Sequence, residues 1–329
     1  MDNKKRNSFS KILDCFIIIT FLLSLSYLAL SFLEYKYPYE YNYYFNKLVN
    51  KIDIKKITLD KHNDYYRDYD FLYVQNSKYL YAENKQDLIN ILYTLSNSGQ
   101  YEVEFYCSKE YKDCVSDANK LVYDTNSNVI GKIFQFNHPF NDYESISCGG
   151  DPETLKVVYR LYKKYSSNKI EIINKEVDRI FNELYDSNLD TISNIYKFHD
   201  YLVNNIEYDK DKSNYIEGKS TVDSNYDSTT AYGALIEHKA ICSGYTDAMY
   251  LFLDKLNLKS IRVASETHVW NAVYINDKWL HLDVTWDDSK YTNGKPFLSH
   301  RYFLIDTPTL HLNDTDSHWF DKQIYKELS

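Results

Sequence analysis

Three residue types that together perform nucleophilic catalysis occur in order in the second half of the chain: Cys242, His268 and Asp283. A thiolate can attack an amide carbonyl, an imidazole can hold the proton and later deliver it to the leaving amine, and a carboxylate can orient that imidazole. Each residue alone is a weak indication, because single cysteines, histidines and aspartates commonly have structural roles. The order nucleophile, base and orienting group favours cysteine chemistry on an amide bond.

A helix is predicted to begin at Cys242. The apolar positions that follow are spaced as on one face of a helix, at Tyr245, Ala248, Met249, Phe252, Leu253 and Leu256. Cys242 would extend this stripe at the first turn, where unpaired N–H groups and the helix dipole favour a thiolate. Gly244 would keep the approach to the thiol open. From this segment alone, a small buried core cysteine is the favoured interpretation, and the residues that follow reverse this preference.

The base and the orienting group are predicted on a β-hairpin. Residues 268–275 and 278–286 are rich in β-branched and aromatic side chains, and the two residues between them suit a tight turn. This register places His268 on the same face as Asp283 and diagonal to it. Diagonal Cβ atoms are about 7–8 Å apart or somewhat less, within reach of a histidine–carboxylate hydrogen bond. His281 lies on the same predicted face and is the rival base, but we favour His268.

Three blocks of this sequence resemble those of the transglutaminase-like superfamily. CSGY at 242–245, HVWNAV at 268–273 and WLHLDVTWD at 279–287 look like its C-x-G-Y, H-x-W-N-x-V and W-x-x-x-D-x-T-W-D blocks, and HDYL at 199–202 resembles its lead-in helix. Three blocks in order are a specific signal. The chain is thereby identified as resembling a membrane-anchored, bacterial-type member of this superfamily.

The resemblance implies an α+β fold with a papain/transglutaminase-like core, in which the helix that carries the nucleophile packs on an antiparallel sheet. It assigns the roles of nucleophile, base and orienting group to the three residues named first. The oxyanion would be bound by the backbone N–H of Cys242 and, by its position upstream, by the hydroxyl of Tyr208. Gly244 and Trp270 are further candidates for oxyanion or substrate binding.

The N-terminal sequence predicts a membrane anchor. Residues 15–33 carry no charge, and their length as a helix, about 28 Å at about 1.5 Å per residue, nearly matches a hydrocarbon core of about 30 Å. Basic residues precede this run, which predicts a single-pass protein with a cytoplasmic N-terminus and an extracytoplasmic body. The alternative is a signal peptide that is cleaved near residues 29–31, which would give a secreted protein. Both interpretations place residues 34–329 outside the cytoplasm.

The chain is predicted to have three parts. They are a cytoplasmic stub with the anchor at residues 1–33, a mixed α/β region of unknown role at 34–165, and the transglutaminase-like domain at 166–329. In the mixed α/β region, a helix is expected after Asn84, and residues 101–106 and 155–162 suit strands. No residue pattern in that region indicates chemistry.

An exported chain can contain disulfides. Cys107 and Cys114 could close a small loop, but Cys148 leaves other pairings open. Residues 209–228 are polar and without clear periodicity, and a loop of that length is usually functional or disordered. We expect this segment to form a mobile flap over a cleft.

Several other polar residues are expected to have structural roles. His199 lies on an apolar helix stripe and is predicted to be a packed core histidine. His311 and His318 are too dispersed to form a metal site, and no cysteine pair has zinc spacing. Asp287 and Asp288 are expected to be turn and surface carboxylates. No metal or cofactor is therefore predicted.

The composition limits the partners. The net charge is −9, and no basic stripe offers a surface for phosphates, so nucleic acid is not an expected partner.

The predicted function is an extracytoplasmic cysteine enzyme that acts on amide bonds of proteins or peptides at the cell surface or cell wall through a thioacyl intermediate. The acceptor is left open: water would make it a peptidase or amidase, which we slightly favour, and an amine would make it a cross-linking enzyme. The alternative is a non-catalytic binding or scaffolding module.

Overall fold

The apolar N-terminal run lies in one long helix, α1 (Asp2–Lys36), in the computed structural model. Its segment Phe16–Lys36 has a mean hydropathy of 2.3, is not buried by the rest of the chain, and is long and apolar enough to cross a membrane. Length and composition fit a membrane anchor, and a signal sequence meets the same criterion. The structure describes residues 2–37, 41, 59, 63–124, 129–288, 298–314 and 316–328.

The region that follows has a mixed α/β fold. Its sheet has the order β1-β2-β4-β3, in which β1 and β2 are parallel and the other pairs are antiparallel. The predicted helix start is confirmed, because the Asn84 side chain accepts a hydrogen bond from the Asp87 N–H at 3.1 Å. The elements are β1 (Tyr81–Ala82), α2 (Lys85–Asn97), β2 (Glu102–Cys107), α3 (Cys114–Tyr123), α4 (Val129–Phe134), a 3-10 turn (Pro139–Asn141), β3 (Tyr143–Asp151) and β4 (Lys156–Lys163).

Helices and a small antiparallel sheet make up the rest of the described chain. The helices comprise α5 (Ser167–Leu184), α6 (Thr191–Asn205), α7 (Lys210–Ile216), a π-helical turn (Gly233–Glu237), α8 (Cys242–Lys255), α9 (Val284–Asp287), α10 (Thr307–Asn313) and a 3-10 turn (Lys326–Leu328). The strands are the parallel pair β5 (Glu207–Tyr208) and β6 (Lys239–Ala240), and the antiparallel sheet β7 (Ser260–Ala264), β8 (Val269–Ile275) and β9 (Lys278–Leu282).

One disulfide joins Cys107 to Cys114, with Cα atoms 5.9 Å apart. It links the end of β2 to the start of α3, and both cysteines are buried. Cys148 and Cys242 are free thiols. The pairing is the one that the sequence allowed as a small closed loop.

The predicted hairpin has the expected register, with Ile275 paired to Lys278. The two turn residues, Asn276 and Asp277, have φ angles of 52° and 60°. Positive φ at both central positions is the requirement of a type I′ turn, whose twist matches that of the flanking strands. Asn and Asp tolerate this conformation better than most residues, so the sequence itself fixes the register.

The β7–β8–β9 sheet is buried on both faces. Side chains on one face, among them Val273 and Leu282, share a core with helices α5, α6 and α8. Trp270 and Ala272 on the other face share a core with the region before residue 165. Alternate residues of β8 thus contact two different sets of elements.

A buried charge network ties α8 to its surroundings. The Arg262 guanidinium on β7 donates to Asp247 of α8 and to Asp142, both at 2.9 Å. The Tyr165 hydroxyl donates to Asp247 at 2.7 Å. Burial acts to raise the pKa of Asp247, but the charges of Lys164 and Arg262 hold it below its usual value. The helix that begins at the cysteine is therefore held through Asp247 by Arg262 of β7 and by Lys164 and Tyr165.

The segment predicted as a loop, residues 209–228, is only partly a loop. It contains helix α7, and the Asp209 carboxylate caps this helix by accepting from the Lys212 N–H at 3.0 Å. The same carboxylate accepts hydrogen bonds from the hydroxyls of Ser224 and Ser228. These short-range bonds organise a stretch whose sequence has no periodicity, and the flap stays a prediction.

We expect Arg262→Met to lower the free energy of unfolding by about 3–5 kcal/mol, because the buried carboxylates of Asp247 and Asp142 lose the guanidinium that bonds to both. Arg179→Met is the matched control, since Arg179 pairs with Glu176 and Glu183 on the exposed face of α5, and exposed pairs contribute about 0–1 kcal/mol. Denaturant unfolding of the full chain in detergent, followed by tryptophan fluorescence, measures both. Equal losses in the two variants would contradict a stabilising role of the buried network.

Candidate active site

Cys242 is the first residue of helix α8. The preceding residue, Ile241, is extended, and its carbonyl accepts from the N–H groups of Gly244 and Tyr245 at 2.9 and 3.2 Å. The first N–H groups of a helix have no partner within the helix. The partly buried thiol therefore lies beside backbone donors that can bind a negative charge.

His268 and Asp283 are brought together at the end of the hairpin. His268 immediately precedes β8, and Asp283 immediately follows β9. Nε2 of His268 lies 2.5 Å from Oδ2 of Asp283, and the other oxygen, Oδ1, accepts from the Trp286 N–H at 3.1 Å. The hairpin register thus places the imidazole and the carboxylate in direct hydrogen-bond contact.

The charges of the site are strongly coupled. Burial acts to lower the pKa of His268, but the Asp283 carboxylate and a hydrogen bond and charge interaction with Cys242 raise it to about 10. Burial acts to raise the pKa of Asp283, but the charge of His268 and hydrogen bonds from His268 and His318 hold it well below its usual value. Because Nε2 faces Asp283, Nδ1 is the ring nitrogen left to face the Cys242 sulfur. The raised pKa keeps the His268 ring an imidazolium beside the Cys242 sulfur.

Tyr208 lies next to the cysteine segment. It pairs with Ala240 through the β5–β6 ladder, two residues before Cys242. Its hydroxyl is 3.3 Å from Oγ of Ser213. Burial raises the pKa of Tyr208, and the nearby charge of Cys242 adds to this, while the bond to Ser213 opposes it. The hydroxyl therefore keeps its proton, which it donates to Oγ of Ser213 in this structure.

Gly244 and Trp270 occupy different positions from those expected. A Cβ atom on Gly244 would lie 2.6 Å from the Ser228 carbonyl oxygen and 2.9 Å from that of Thr230. The glycine therefore allows close backbone packing inside the protein and does not line an open approach. Trp270 is fully buried, and its ring stacks on that of His268 at 5.7 Å. It supports the imidazole from the interior, where it cannot reach a substrate.

The ring nitrogens of the rival base, His281, bond to groups other than Asp283. Its Nδ1 accepts from Nε1 of Trp270 at 2.9 Å, and its Nε2 lies 3.0 Å from Oγ1 of Thr307. Burial lowers the pKa of His281 to about 3. It is a neutral core histidine, and both of its ring nitrogens are occupied by other partners.

His318 is part of the site, although the sequence predicted no role for it. Its Nε2 lies 2.8 Å from Oδ2 of Asp283, and its Nδ1 lies 2.8 Å from Oδ2 of Asp314. Its ring is fully buried and stacks on Tyr302 at 5.0 Å. His318 follows Asp283 by 35 residues, and no periodic pattern or turn links the two. Only the folded chain reveals this contact.

The expectation for Asp287 needs correction, while that for His199 is confirmed. His199 is a buried, hydrogen-bonded core histidine, and its partners are carboxylates. Its Nε2 lies 3.2 Å from Oδ2 of Asp287. Asp287 was expected at the surface, but it is fully buried, because its carboxylate also accepts from the Tyr302 N–H at 3.2 Å. Asp288 is partly buried, and its carboxylate accepts from the hydroxyl of Tyr245.

Comparison with known proteins supports the family resemblance for the second half of the chain. Residues 168–293 match the family model described as a transglutaminase-like domain. This stretch of the chain is therefore similar to transglutaminase-like domains. Cys242, His268 and Asp283 all lie within the matched residues.

The other two comparisons add less. A solved structure described as "Crystal structure of a TGase" is 17% identical, with a TM-score of 0.31. The match covers 49% of this chain and 48% of that one, so this chain spans about half the length of the protein it resembles. No curated protein matches the chain.

Two groups of described residues could each offer three ligand atoms to a metal ion. The first contains His268, Asp283 and His318 and is the site described above. There the two imidazoles already donate to the carboxylate, and His268 also interacts with Cys242. The second contains His199, Asp200 and His300, and its His199 contacts Asp287.

We expect iodoacetamide to alkylate Cys242 much faster than Cys148, because the thiolate is the reactive form of a cysteine and the His268 imidazolium lies beside this sulfur. His268→Ala should slow this reaction by at least about tenfold, since the thiolate loses its partner. Mass spectrometry of peptides from the alkylated full chain measures the rates.

Cys148 is the internal control for this experiment, because burial raises its pKa to about 12 and it should remain unmodified in both proteins. A Cys242 thiol that reacts no faster than Cys148 would contradict the thiolate. A rate that is unchanged by His268→Ala would contradict the pairing.

Proposed function

We propose that this protein is a membrane-anchored cysteine enzyme that cleaves amide bonds through a thioacyl intermediate on Cys242. The observation that carries the proposal is the orientation of one ring: Nε2 of His268 faces Asp283, which leaves Nδ1 for the sulfur. A binding module has no need of this alignment. The transglutaminase-like match over residues 168–293 agrees with it.

In the proposed acylation step, the Cys242 thiolate attacks the carbonyl carbon of the amide. The oxygen takes up the negative charge and is bound by the Cys242 N–H and the hydroxyl of Tyr208. His268 donates its proton to the leaving nitrogen, the carbon–nitrogen bond breaks, and an amine departs. The acyl group is left on sulfur, and His268 is left as a neutral base.

In the proposed second step, water or an amine attacks the thioester. His268 takes the proton of the attacking group, the carbon–sulfur bond breaks, and the thiolate and imidazolium are restored. Water gives a carboxylic acid, and an amine gives a new amide. We favour water, because Trp286, whose ring lies beside that of His268, is 38% exposed and is therefore in contact with solvent.

Trp286 is the better candidate for substrate contact than Trp270. Its ring centroid lies 6.0 Å from that of His268, and it is partly exposed where Trp270 is fully buried. An exposed aromatic ring beside the catalytic imidazole offers apolar contact to a peptide side chain. The proposed substrates are therefore proteins or peptides at the cell surface or in the cell wall.

Export is part of the proposal and has two supports. Helix α1 is long and apolar enough to anchor the chain. The buried Cys107–Cys114 disulfide is typical of proteins outside the reducing cytosol. An extracytoplasmic location would place the site next to wall and surface peptides.

The activity is tested on the full chain in detergent with an unstructured protein substrate. Two products are followed: new amino termini, which report hydrolysis, and incorporation of a fluorescent primary amine, which reports cross-linking. We expect Cys242→Ala to abolish both and Asp283→Asn to lower kcat/KM by about two to four orders of magnitude, because the imidazole loses its orientation. Cys148→Ser is the control and should retain parental activity.

Turnover that survives Cys242→Ala would overturn the assignment of the nucleophile. A parent protein that yields neither product and no thioacyl adduct, but binds the substrate equally well with and without Cys242, would identify the chain as a binding module.

A further inference from the structure

A second cluster of histidines and carboxylates lies between helix α6 and the segment that begins at residue 298. His199 and Asp200 are neighbours on α6, and Nδ1 of His199 lies 3.0 Å from Oδ1 of Asp200. Nε2 of His300 lies 2.7 Å from the same oxygen. Two imidazoles from different parts of the chain thus converge on one carboxylate oxygen.

The outer nitrogens of both rings also have partners. Nε2 of His199 lies 3.2 Å from the buried Asp287 carboxylate, which is itself held by the Tyr302 N–H. Nδ1 of His300 lies 3.4 Å from the hydroxyl of Tyr196, whose ring stacks on it at 4.3 Å. In metal sites, each ligating histidine normally uses its second nitrogen in this way, which fixes the tautomer and the ring.

Burial and hydrogen-bond partners point in the same direction. The His199 side chain is fully buried, yet each of its nitrogens faces a carboxylate, and a neutral imidazole has only one N–H to donate. A metal ion bound to Nδ1 of His199 would leave that one N–H on Nε2 for Asp287.

We propose that His199, Asp200 and His300 bind a divalent transition-metal ion, with Zn²⁺ as the representative. The three ligand atoms all lie within 4.8 Å of one another. Ligands at about 2.0–2.2 Å from tetrahedral zinc are separated by about 3.3–3.6 Å, so separations of 2.7 and 3.0 Å must widen by less than about 1 Å, which small side-chain rotations provide. Asp200 and His300 are 24% and 27% exposed, which provides an entry path and a position for a water ligand.

The proposed ion would act as a clamp. It would join α6 to the segment around His300. This cluster is also connected to the candidate active site: the Tyr302 N–H donates to Asp287, and the Tyr302 carbonyl accepts from the Asp283 N–H at 3.1 Å. The role assigned here is structural and does not depend on the proposed enzymatic activity.

The test measures zinc binding to the full chain in detergent. The parent for this experiment carries Cys242→Ala, which removes the thiol as a competing ligand. After chelator treatment and equilibrium dialysis against Zn²⁺, we expect about one zinc ion per chain by elemental analysis. Co²⁺ in place of Zn²⁺ should give the visible absorption of a four-coordinate ion.

Variants locate the ion. His300→Ala should abolish stoichiometric binding, and Asp287→Asn should weaken it by about 10- to 100-fold through the outer shell of the site. His311→Ala is the matched control, because His311 is a partly buried histidine outside the cluster, and it should bind zinc like the parent. Zn²⁺ should raise the melting temperature of the parent and the control but not that of His300→Ala.

Two results would overturn the proposal. One is a folded parent that binds no zinc, which would show that the cluster is a hydrogen-bond network with an imidazolium. The other is equal zinc binding by the parent and His300→Ala. If His300→Ala does not fold, Asp200→Asn tests the same coordination with a smaller change.

Discussion

The buried Asp283 carboxylate is the group on which the arrangement of the site depends. An ionised carboxylate in the interior is costly unless donors surround it. Asp283 has three: Nε2 of His268, Nε2 of His318 and the Trp286 N–H. These donors come from the hairpin, from the C-terminal segment and from the turn that follows the carboxylate. Satisfying this one charge fixes the His268 ring and directs its other nitrogen toward Cys242.

The cysteine is positioned by a separate set of interactions. Helix α8 is held against the sheet by the Asp247–Arg262 pair, and the hydroxyl of Thr246 donates to the Val269 carbonyl at 2.9 Å. Gly244 lets the same helix approach the backbone at Ser228. The sulfur and the imidazole therefore meet because two rigid frameworks place them together, which is the condition for a preorganised site.

Local rules predicted much of this arrangement, and long-range contacts supplied the rest. The apolar period after Cys242 predicted the helix, and the turn at residues 276–277 predicted a register that brings His268 to Asp283. Nothing local predicts His318, because its contact with Asp283 depends on how the C-terminal segment folds back. The buried position of Asp287 was missed for a similar reason: its partners, His199 and Tyr302, are distant in sequence.

The ¹⁵N NMR titration of the His268 ring in the full chain tests most directly whether Asp283 and Cys242 hold this imidazole in its charged form. The resonance is assigned by its absence in His268→Gln. We expect the ring to remain an imidazolium until about pH 10, and the midpoint to fall in Cys242→Ala and in Asp283→Asn. A midpoint near the unperturbed value of about 6.5, unchanged in both variants, would contradict the thiolate–imidazolium–carboxylate arrangement.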